Sequence, residues 1–299
     1  MIYGFFQKST FRLIGLIVPL LLSAHASSQE RIMGGTEVTL DNAFTVAIKK
    51  FYGDDYYFRC AGSLVDSRFV LTTADCVDNE HANQLVVSIG DLTHQDSDGV
   101  EWPVSEITIH PDFDLIATKH NIALLRLASE TSHPPLQMGA GDLQDGSELI
   151  VQGWGRIAEG NIYPRTLLET QVYVLSNQAC TELWADNGVD VGEDIVCTQV
   201  TDQDSCDGDG GGPLMQVLND GPVQVGIVSF GSSCFGPDRL PSGYTRVSSY
   251  LPWITDVIQG VGNEPETRKE KSSLFYSWLL LASLLFFGRA RRAGIGVTH

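Results

Sequence analysis

The stretch from Asp204 to Pro213 has the residue types of a reactive or binding loop. It reads Asp-Ser-Cys-Asp-Gly-Asp-Gly-Gly-Gly-Pro, so three carboxylates, a hydroxyl and a cysteine stand among four glycines. Carboxylates accept protons or bind cations, and acyl transfer also needs an oxygen or sulfur nucleophile beside a base. Because glycine permits backbone conformations that other residues avoid, this density predicts an irregular loop that holds a site.

Two further motifs accompany this loop: Leu-Thr-Thr-Ala-Asp-Cys at residues 71–76 and Arg-Ile-Met-Gly-Gly at residues 31–35. Together the three motifs resemble those of the trypsin/chymotrypsin family of serine proteases. The resemblance covers Ile32 to about Gly260. It implies an all-β fold of two antiparallel six-stranded Greek-key barrels with a C-terminal helix.

All three catalytic positions of that family are changed in this chain. Gly210 stands where the family has its nucleophilic serine, Asp75 where it has the general-base histidine, and Asn121 where it has the orienting aspartate. Glycine offers no nucleophile, and a carboxylate of reference pKa ~3.9 is a weak base. The sequence therefore predicts an exported protease homologue that does not catalyse hydrolysis and acts as a binding or regulatory module.

Two other readings stay open beside this one. The chain is an active trypsin-like endopeptidase with an unrecognised catalytic set, or it is a zymogen-like subunit that complexes an active relative. Ser205 is the nearest substitute nucleophile, but the matching position in the family lines the pocket wall.

The resemblance also implies a substrate pocket. Asp204 matches the aspartate at the base of the trypsin-type pocket for Arg or Lys, and Ser229, Phe230 and Gly231 match the strand that pairs with substrate backbone. Ser242 replaces a pocket-wall glycine, and Phe230 replaces a tryptophan. We expect a peptide or protein ligand that presents a cationic side chain.

Two other features of the family are retained. The backbone N–H groups of Gly208 and Gly210 match the oxyanion hole. Arg31-Ile32 matches the activation cleavage site, and Asp209 matches the aspartate that pairs with the freed isoleucine amine. The alternative is that these residues are inherited without cleavage taking place.

Six cysteines behind an export signal indicate disulfides, and their number alone leaves fifteen pairings open. The absence of CxxC spacing argues against a zinc cluster. The resemblance implies the pairs Cys60–Cys76, Cys180–Cys197 and Cys206–Cys234.

The segment from Gly90 to Glu101 repeats the spacing of the family's calcium loop. A plain solvated acidic turn is the alternative. The predicted ligands are Asp91, Thr93, Asp96, Asp98 and Glu101.

Both ends of the chain have their own character. A basic residue pair, an apolar run and Ala-His-Ala indicate a signal peptide.

Near the other end, the apolar run Leu274–Phe287 before Arg289, Arg291 and Arg292 predicts a membrane helix with a cytoplasmic tail, although a buried core helix is the rival. We expect a protein of the cell envelope, anchored or surface-associated, or secreted if the tail is removed. The predicted divisions are 1–26 signal peptide, 27–31 pro-segment, 32–262 trypsin-like domain, 263–273 polar stalk, 274–288 anchor helix and 289–299 basic tail.

The charge balance narrows the partners. The formal net charge is −18, and 33 of the 37 acidic residues but only ten of the 19 basic residues lie within residues 32–262. Such a surface repels nucleic acid and favours cationic peptides or proteins, with simple solubility as the plainer explanation.

Short apolar or alternating runs separated by Gly, Asp and Pro predict the strands that must position these residues. One amphipathic helix is predicted from Ser249 to Gly260, with Pro252 in its first turn. The predicted strands are Phe44–Ile48, Gly62–Val65, Phe69–Thr72, Leu85–Ile89, Ile122–Leu127, Glu169–Leu175, Gly212–Val217, Val223–Phe230 and Gly243–Val247.

Overall fold

The computed structural model describes residues 35–39, 44–53, 55–94, 100–141 and 143–260. After a short strand β1 (Thr36–Glu37), six antiparallel strands close the first barrel in the order β2-β3-β4-β7-β6-β5. The fourth strand in sequence lies beside the first, which is the Greek-key arrangement. The strands are β2 (Thr45–Tyr52), β3 (Asp55–Asp66), β4 (Phe69–Thr72), β5 (Leu85–Ser88), β6 (Glu101–Ile109) and β7 (Ala123–Leu127), with a one-turn helix α1 (Ala74–Val77) between β4 and β5.

A second ring of six antiparallel strands follows, and it repeats the Greek-key order. The short strand β8 (Gln137–Met138) precedes it and runs parallel to one of its strands. The ring consists of β9 (Glu148–Gly153), β10 (Leu168–Leu175), β11 (Ile195–Thr198), β12 (Pro213–Leu218), β13 (Gly221–Phe230) and β14 (Gly243–Arg246). It closes in the order β9-β10-β11-β14-β13-β12, because β12 pairs with β9.

Alternating side chains explain which face of each strand lies inside. In β10, Leu168, Thr170, Val172 and Val174 are buried, while the residues between them are exposed or half-buried. Successive side chains of a strand point to opposite faces, so such a strand presents one apolar face to the barrel interior. The second interior is filled by Leu149, Val151, Val172, Val174, Val196, Leu214, Val225, Val228 and Tyr244.

The two barrels are joined by apolar packing and by buried hydrogen bonds. Leu71 and Leu124 of the first barrel cluster with Ile227 of the second. The Thr45 hydroxyl donates to Gln152 Oε1 at 3.1 Å, and the Ser63 hydroxyl donates to Gln224 Oε1 at 2.8 Å. Buried polar groups need such partners, so these bonds set how the barrels meet and hold the cleft between them.

The two-barrel prediction is confirmed, and the predicted strands all form, although only Phe69–Thr72 keeps both of its predicted ends. The barrel strands β6, β9 and β11 were not predicted, and among the predicted strands the largest difference is β3, which begins at Asp55 rather than Gly62. Residues 55–59 form an arm with β2 that is mostly exposed, so the arm lacks the apolar alternation on which the prediction depended.

The predicted C-terminal helix is confirmed as α3 (Val247–Gln259), which ends at Gly260 with a φ of 71°. It begins two residues earlier than expected, so Pro252 lies inside the helix rather than in its first turn. Val247, Tyr250 and Ile254 are buried against the barrels at helical spacing. Packing of this face outweighs the one hydrogen bond that proline removes. A second helix, α2 (Asn177–Trp184), was not predicted.

The three disulfides are confirmed as Cys60–Cys76, Cys180–Cys197 and Cys206–Cys234. The described residues leave no free cysteine.

The predicted signal peptide, pro-segment, stalk, anchor helix and basic tail lie outside the described residues. Within residues 35–260, so far as they are described, no helix is long and apolar enough to cross a membrane.

Candidate functional site

The structure brings Asp75 and Asn121 into direct contact. Asp75 lies on α1, and Asn121 lies two residues before β7. The backbone N–H of Asp75 donates to Asn121 Oδ1 at 3.0 Å, and Asn121 Nδ2 donates to Ser229 Oγ at 3.0 Å. Asn121 is buried, and its own carbonyl accepts from the Thr245 hydroxyl at 2.9 Å. Both polar atoms of the Asn121 side chain are therefore hydrogen-bonded, and the residue bridges both barrels.

The carboxylate of Asp75 is not part of that bridge. Its Oδ1 atom is buried without a hydrogen-bond partner, and no cation among the described residues forms an ion pair with it. Asn121 holds the backbone of Asp75 and leaves its side chain unpaired. Asp75 as a whole is half-buried, and its Oδ1 is an acceptor that lacks a donor.

Gly210 lies across from Asp75, in the loop before β12. Its carbonyl accepts from Ala61 N at 2.9 Å and lies 3.7 Å from Cys76 Sγ, next to Asp75 in sequence. A Cβ at Gly210 would meet only Cys76 Sγ, at 4.0 Å. There is space for a side chain here, but the chain supplies none.

The neighbouring Gly208 and Gly211 have backbone conformations that other residues rarely adopt. Gly208 has φ 102° and Gly211 has φ 83°, both in the region that favours glycine, and a Cβ at Gly211 would collide with Ala61 O and the Thr72 hydroxyl. Within the described part of the chain, the N–H groups of Gly208 and Gly210 donate to no backbone carbonyl. Two free donors thus stand at the positions predicted for an oxyanion hole.

Asp209 is buried beneath this loop. Its carboxylate accepts from Gly155 N at 2.6 Å and from Cys206 N at 2.8 Å. Burial raises the pKa of Asp209 to about 7, and the two hydrogen bonds oppose that rise. Gly153 also lies against the carboxylate, where a Cβ would not fit. Arg31 and Ile32, the predicted cleavage site, lie outside the described residues.

The predicted pocket residues line one cavity of about 210 Å³. Asp204 lies in it and is 8% exposed. Its Oδ1 accepts from Ser205 N at 2.8 Å and faces the Tyr244 hydroxyl at 3.5 Å, and Ser242 also forms a hydrogen bond with the carboxylate. Burial raises the pKa of Asp204 to about 6, which these hydrogen bonds partly offset.

Other predicted pocket positions shape the wall of the cavity. The Ser242 hydroxyl lies near Gly231, 3.5 Å from where a Cβ of that glycine would be. Phe230 covers Gly243, which has no room for a Cβ, and packs edge-on against Trp184 with centroids 5.4 Å apart. Ser205 Oγ is buried and lies 3.1 Å from the Tyr244 hydroxyl, so it belongs to the wall.

Two arginines at the cavity were not singled out from the sequence. Arg156 lies 2.8 Å from Asp207 and stacks over Phe235, with its Cζ 5.2 Å from the ring centroid. Arg239 lines the cavity, donates to Thr201 O at 2.6 Å and lies 3.3 Å from Asp202. Its charge lowers the pKa of Asp204 slightly against the effect of burial. In the sequence, the only indication that Arg239 lies at the pocket was its place between Cys234 and β14.

In the described part of the predicted calcium loop, one predicted ligand has an unpaired oxygen and another is paired with a lysine. Asp91 Oδ1 accepts from Thr93 N at 2.9 Å, while Asp91 Oδ2 is buried and unpaired, as a cation ligand would be. Glu101, in contrast, lies 3.3 Å from the ammonium group of the buried Lys49. The other two predicted ligands, Asp96 and Asp98, lie outside the described residues.

Comparison with known proteins adds an independent finding. The family model described as Trypsin matches residues 32–254. A tryptase of Mus musculus is 35% identical over 266 residues, which cover 81% of this chain and 96% of the tryptase. Hypodermin-B of Hypoderma lineatum is 31% identical over 232 residues, covering 76% of this chain and 87% of that protein. Alkaline trypsin C of Manduca sexta is 29% identical over 246 residues, covering 79% and 94% respectively.

Proposed function

The chain belongs to the trypsin family of serine proteases, and we propose that it is a non-catalytic member that binds Arg or Lys side chains of peptides or proteins without cutting them. The observation that carries this proposal is an acidic pocket beside a cleft without a nucleophile. Asp204 lies in a cavity with space for a ligand, while Gly210 has no side chain that could act as a nucleophile.

The chemistry of the other two positions supports the absence of hydrolysis. Asp75 holds a short carboxylate in place of an imidazole, and Asn121 cannot balance a developing positive charge. Free N–H groups at Gly208 and Gly210 remain. In serine proteases of this same family that have lost a triad member, such donors together with substrate binding leave a residual rate enhancement of only ~10³–10⁴ over water. Binding needs only the pocket carboxylate and its surroundings, so it survives the loss of the triad.

The carboxylate of Asp204 is not fully free to bind a cation. Ser242 occupies part of the hydrogen-bonding capacity of Asp204, and Arg239 adds a positive charge at the lining. A ligand cation must therefore displace or share these contacts. We expect modest affinity for small amidines and higher affinity for peptides that also pair with the end of β13 at Ser229 and Phe230 and with Gly231 after it.

Calorimetry with benzamidine and an Arg-containing peptide tests this function. Asp204→Ala should weaken binding about tenfold or more, because a charge-assisted contact is lost. Asp220→Ala, which removes the same charge from the exposed turn between β12 and β13, is the matched control and should bind normally. Equal affinity in wild type and Asp204→Ala would exclude the pocket as the binding site. Hydrolysis of an Arg ester, together with labelling of wild type by a fluorophosphonate, would favour the active endopeptidase instead.

Calcium binding by residues 90–101 is a separate proposal, supported by the unpaired Asp91 Oδ2 and opposed by the Lys49–Glu101 pair. Added calcium should raise the melting temperature and chelator should lower it. A melting temperature indifferent to both would leave a solvated acidic turn.

Membrane anchoring through residues 274–288 is likewise a proposal, supported by the apolar run before an arginine cluster. Fractionation of full-length protein should place it with membranes, and a variant ending at residue 262 should be released. Release of the full-length protein in a soluble extract would contradict anchoring.

A further inference from the structure

The carboxylate of Asp75 is left without a partner in its own surroundings. Its Oδ1 atom is buried and unpaired, and its backbone N–H is the group that Asn121 binds. The cation next to this segment is already engaged, since Arg59 donates to Cys76 O at 3.1 Å and lies 3.7 Å from Glu80. A buried unpaired acceptor has an energetic cost that a ligand donor would remove.

Asp75 is the sequence neighbour of Cys76, which contacts the glycine that lines the pocket. Gly210 lines the Asp204 cavity and also contacts Cys76, the residue next to Asp75, through its carbonyl. Because Gly210 has no side chain, nothing of its own stands between the cavity and α1. A ligand chain that leaves the cavity over Gly210 toward Cys76 therefore passes α1, the helix that carries Asp75.

Asp204 and Asp75 differ from the neighbouring acidic residues, which form ion pairs with arginines. Asp207 is paired with Arg156, and Asp202 with Arg239. Asp204 is hydrogen-bonded mainly by neutral groups, and Asp75 has no cationic partner among the residues described. Asp204 in the cavity and Asp75 on α1 therefore remain for cations that come from outside the chain.

We infer that the cleft recognises two adjacent basic residues, one in the Asp204 cavity and its sequence neighbour on Asp75. This inference rests on the proposed function and narrows its ligand class. In it, Asp75 is a specificity-determining residue, and the residue that replaced a general base now contributes to selecting the ligand. The long side chains of Lys and Arg reach an acceptor on the cleft wall while their backbone stays extended over Gly210.

Four acetylated and amidated peptides test the inference: Ala-Arg-Arg-Ala, Ala-Arg-Ala-Ala, Ala-Ala-Arg-Ala and the all-alanine control. Their affinities are measured by calorimetry for wild type, Asp75→Asn, Asp204→Ala and Asp220→Ala. The Asp75→Asn change keeps the size of the side chain and the backbone contact with Asn121, and an unchanged melting temperature verifies the fold.

Wild type should bind the Arg-Arg peptide about fivefold more tightly than either single-Arg peptide, as expected for one partly exposed ion pair. Asp75→Asn should lose this preference and keep its affinity for single-Arg peptides, while Asp220→Ala should behave as wild type. If wild type binds the Arg-Arg peptide no more tightly than the two single-Arg peptides taken together, or if Asp75→Asn keeps the preference, the inference is wrong and the proposed function stands. If no Arg peptide binds, both are wrong.

Discussion

Three carboxylates near the cleft share a residue type and differ in surroundings. Asp204 lies in a cavity among neutral donors, and its pKa is raised to about 6 by burial. Asp209 is sealed below the loop, and burial raises its pKa to about 7. Asp75 has one buried oxygen without a partner. Because each environment is distinct, single substitutions and pH separate their contributions.

Binding of an Arg peptide should strengthen as pH rises from 5 to 7.5. The ligand guanidinium stays charged throughout, so it binds the ionised form of Asp204, which predominates only above its pKa of about 6. Below that pH the affinity should fall toward tenfold per pH unit. Calorimetry across the range measures this slope, and Asp204→Asn should bind weakly at every pH. A wild-type affinity that is flat from pH 5 to 7.5 would contradict the role of Asp204.

Gly210 and Gly211 should respond differently to serine. Gly210→Ser should leave the free energy of unfolding nearly unchanged, because its Cβ would meet only Cys76 Sγ at 4.0 Å. Gly211→Ser should lose about 2–4 kcal/mol, because its φ of 83° and its close contact with Ala61 O leave no place for a side chain. Denaturant unfolding of the two variants decides this, and equal stability of both would show that the loop relaxes around either serine.

At the scale of elements, three separate segments converge on the cleft. The one-turn helix α1 is tied to β3 by Cys60–Cys76, and the loop before β12 is tied to the segment before β14 by Cys206–Cys234. Asn121, just before β7, is held by Thr245 of β14 and by Ser229 of β13. The two disulfides and the bond from Thr245 to the Asn121 carbonyl do not use the side chains of Asp75, Asn121 or Gly210, whereas the bond to Ser229 uses the amide of Asn121. The backbone at these three positions is therefore held mainly by contacts that other side chains would keep.

Restoring the family's residues tests whether that scaffold is still competent. The triple variant Asp75→His, Asn121→Asp and Gly210→Ser should hydrolyse Arg esters, because all three groups are needed to generate the nucleophile. Gly210→Ser alone should remain inactive, since it lacks a base. The rate of ester hydrolysis by folded protein is the measurement. An inactive triple variant that still binds benzamidine would indicate that the segments have shifted apart.

At the scale of the whole molecule, buried acids link stability to pH. A carboxyl whose pKa is higher in the folded than in the unfolded state holds more protons when folded, so stability falls as pH rises between the two values. Asp209 is the clearest case, with a folded pKa of about 7 against 3.8 unperturbed. The whole fold therefore bears the cost of ionising this group at neutral pH.

The free energy of unfolding should accordingly depend on Asp209 between pH 4 and 7. The uncleaved protein should lose on the order of 3 kcal/mol over this range through this group. Asp209→Asn should make the curve less steep and leave the smaller contribution of Asp204, with a constant offset because an amide cannot accept both backbone N–H groups. Urea unfolding at pH 4.5, 6 and 7.5 provides the comparison. Parallel curves for the two proteins would show that Asp209 is already ionised at low pH.

Cleavage after Arg31 should then raise stability at pH 7.5, because a new ammonium group at Ile32 would favour the ionised form of Asp209. Limited proteolysis followed by thermal unfolding measures the gain, and Arg31→Gln is the uncleavable control. A melting temperature that cleavage leaves unchanged would mean that the freed amine does not reach Asp209.

Local sequence patterns were sufficient for most of the scaffold. A continuous apolar run marked the buried strand Phe69–Thr72, alternating residues marked β10, and the spacing of Val247, Tyr250 and Ile254 reflects the buried face of α3. The Cys and Gly motifs led to the family, and through it to the three disulfides. These signals work because period and backbone freedom are properties of neighbouring residues.

The state of the site, in contrast, was decided by contacts between distant residues. The sequence predicted that Asp75, Asn121 and Gly210 share a cleft, but not that Asn121 binds the backbone of Asp75 and leaves its carboxylate unpaired. It predicted an acidic pocket, but not that Arg239 lines it. The Asn121–Ser229 bond joins residues 108 positions apart. Such partners depend on how two barrels pack, and no local pattern of residue types records that geometry.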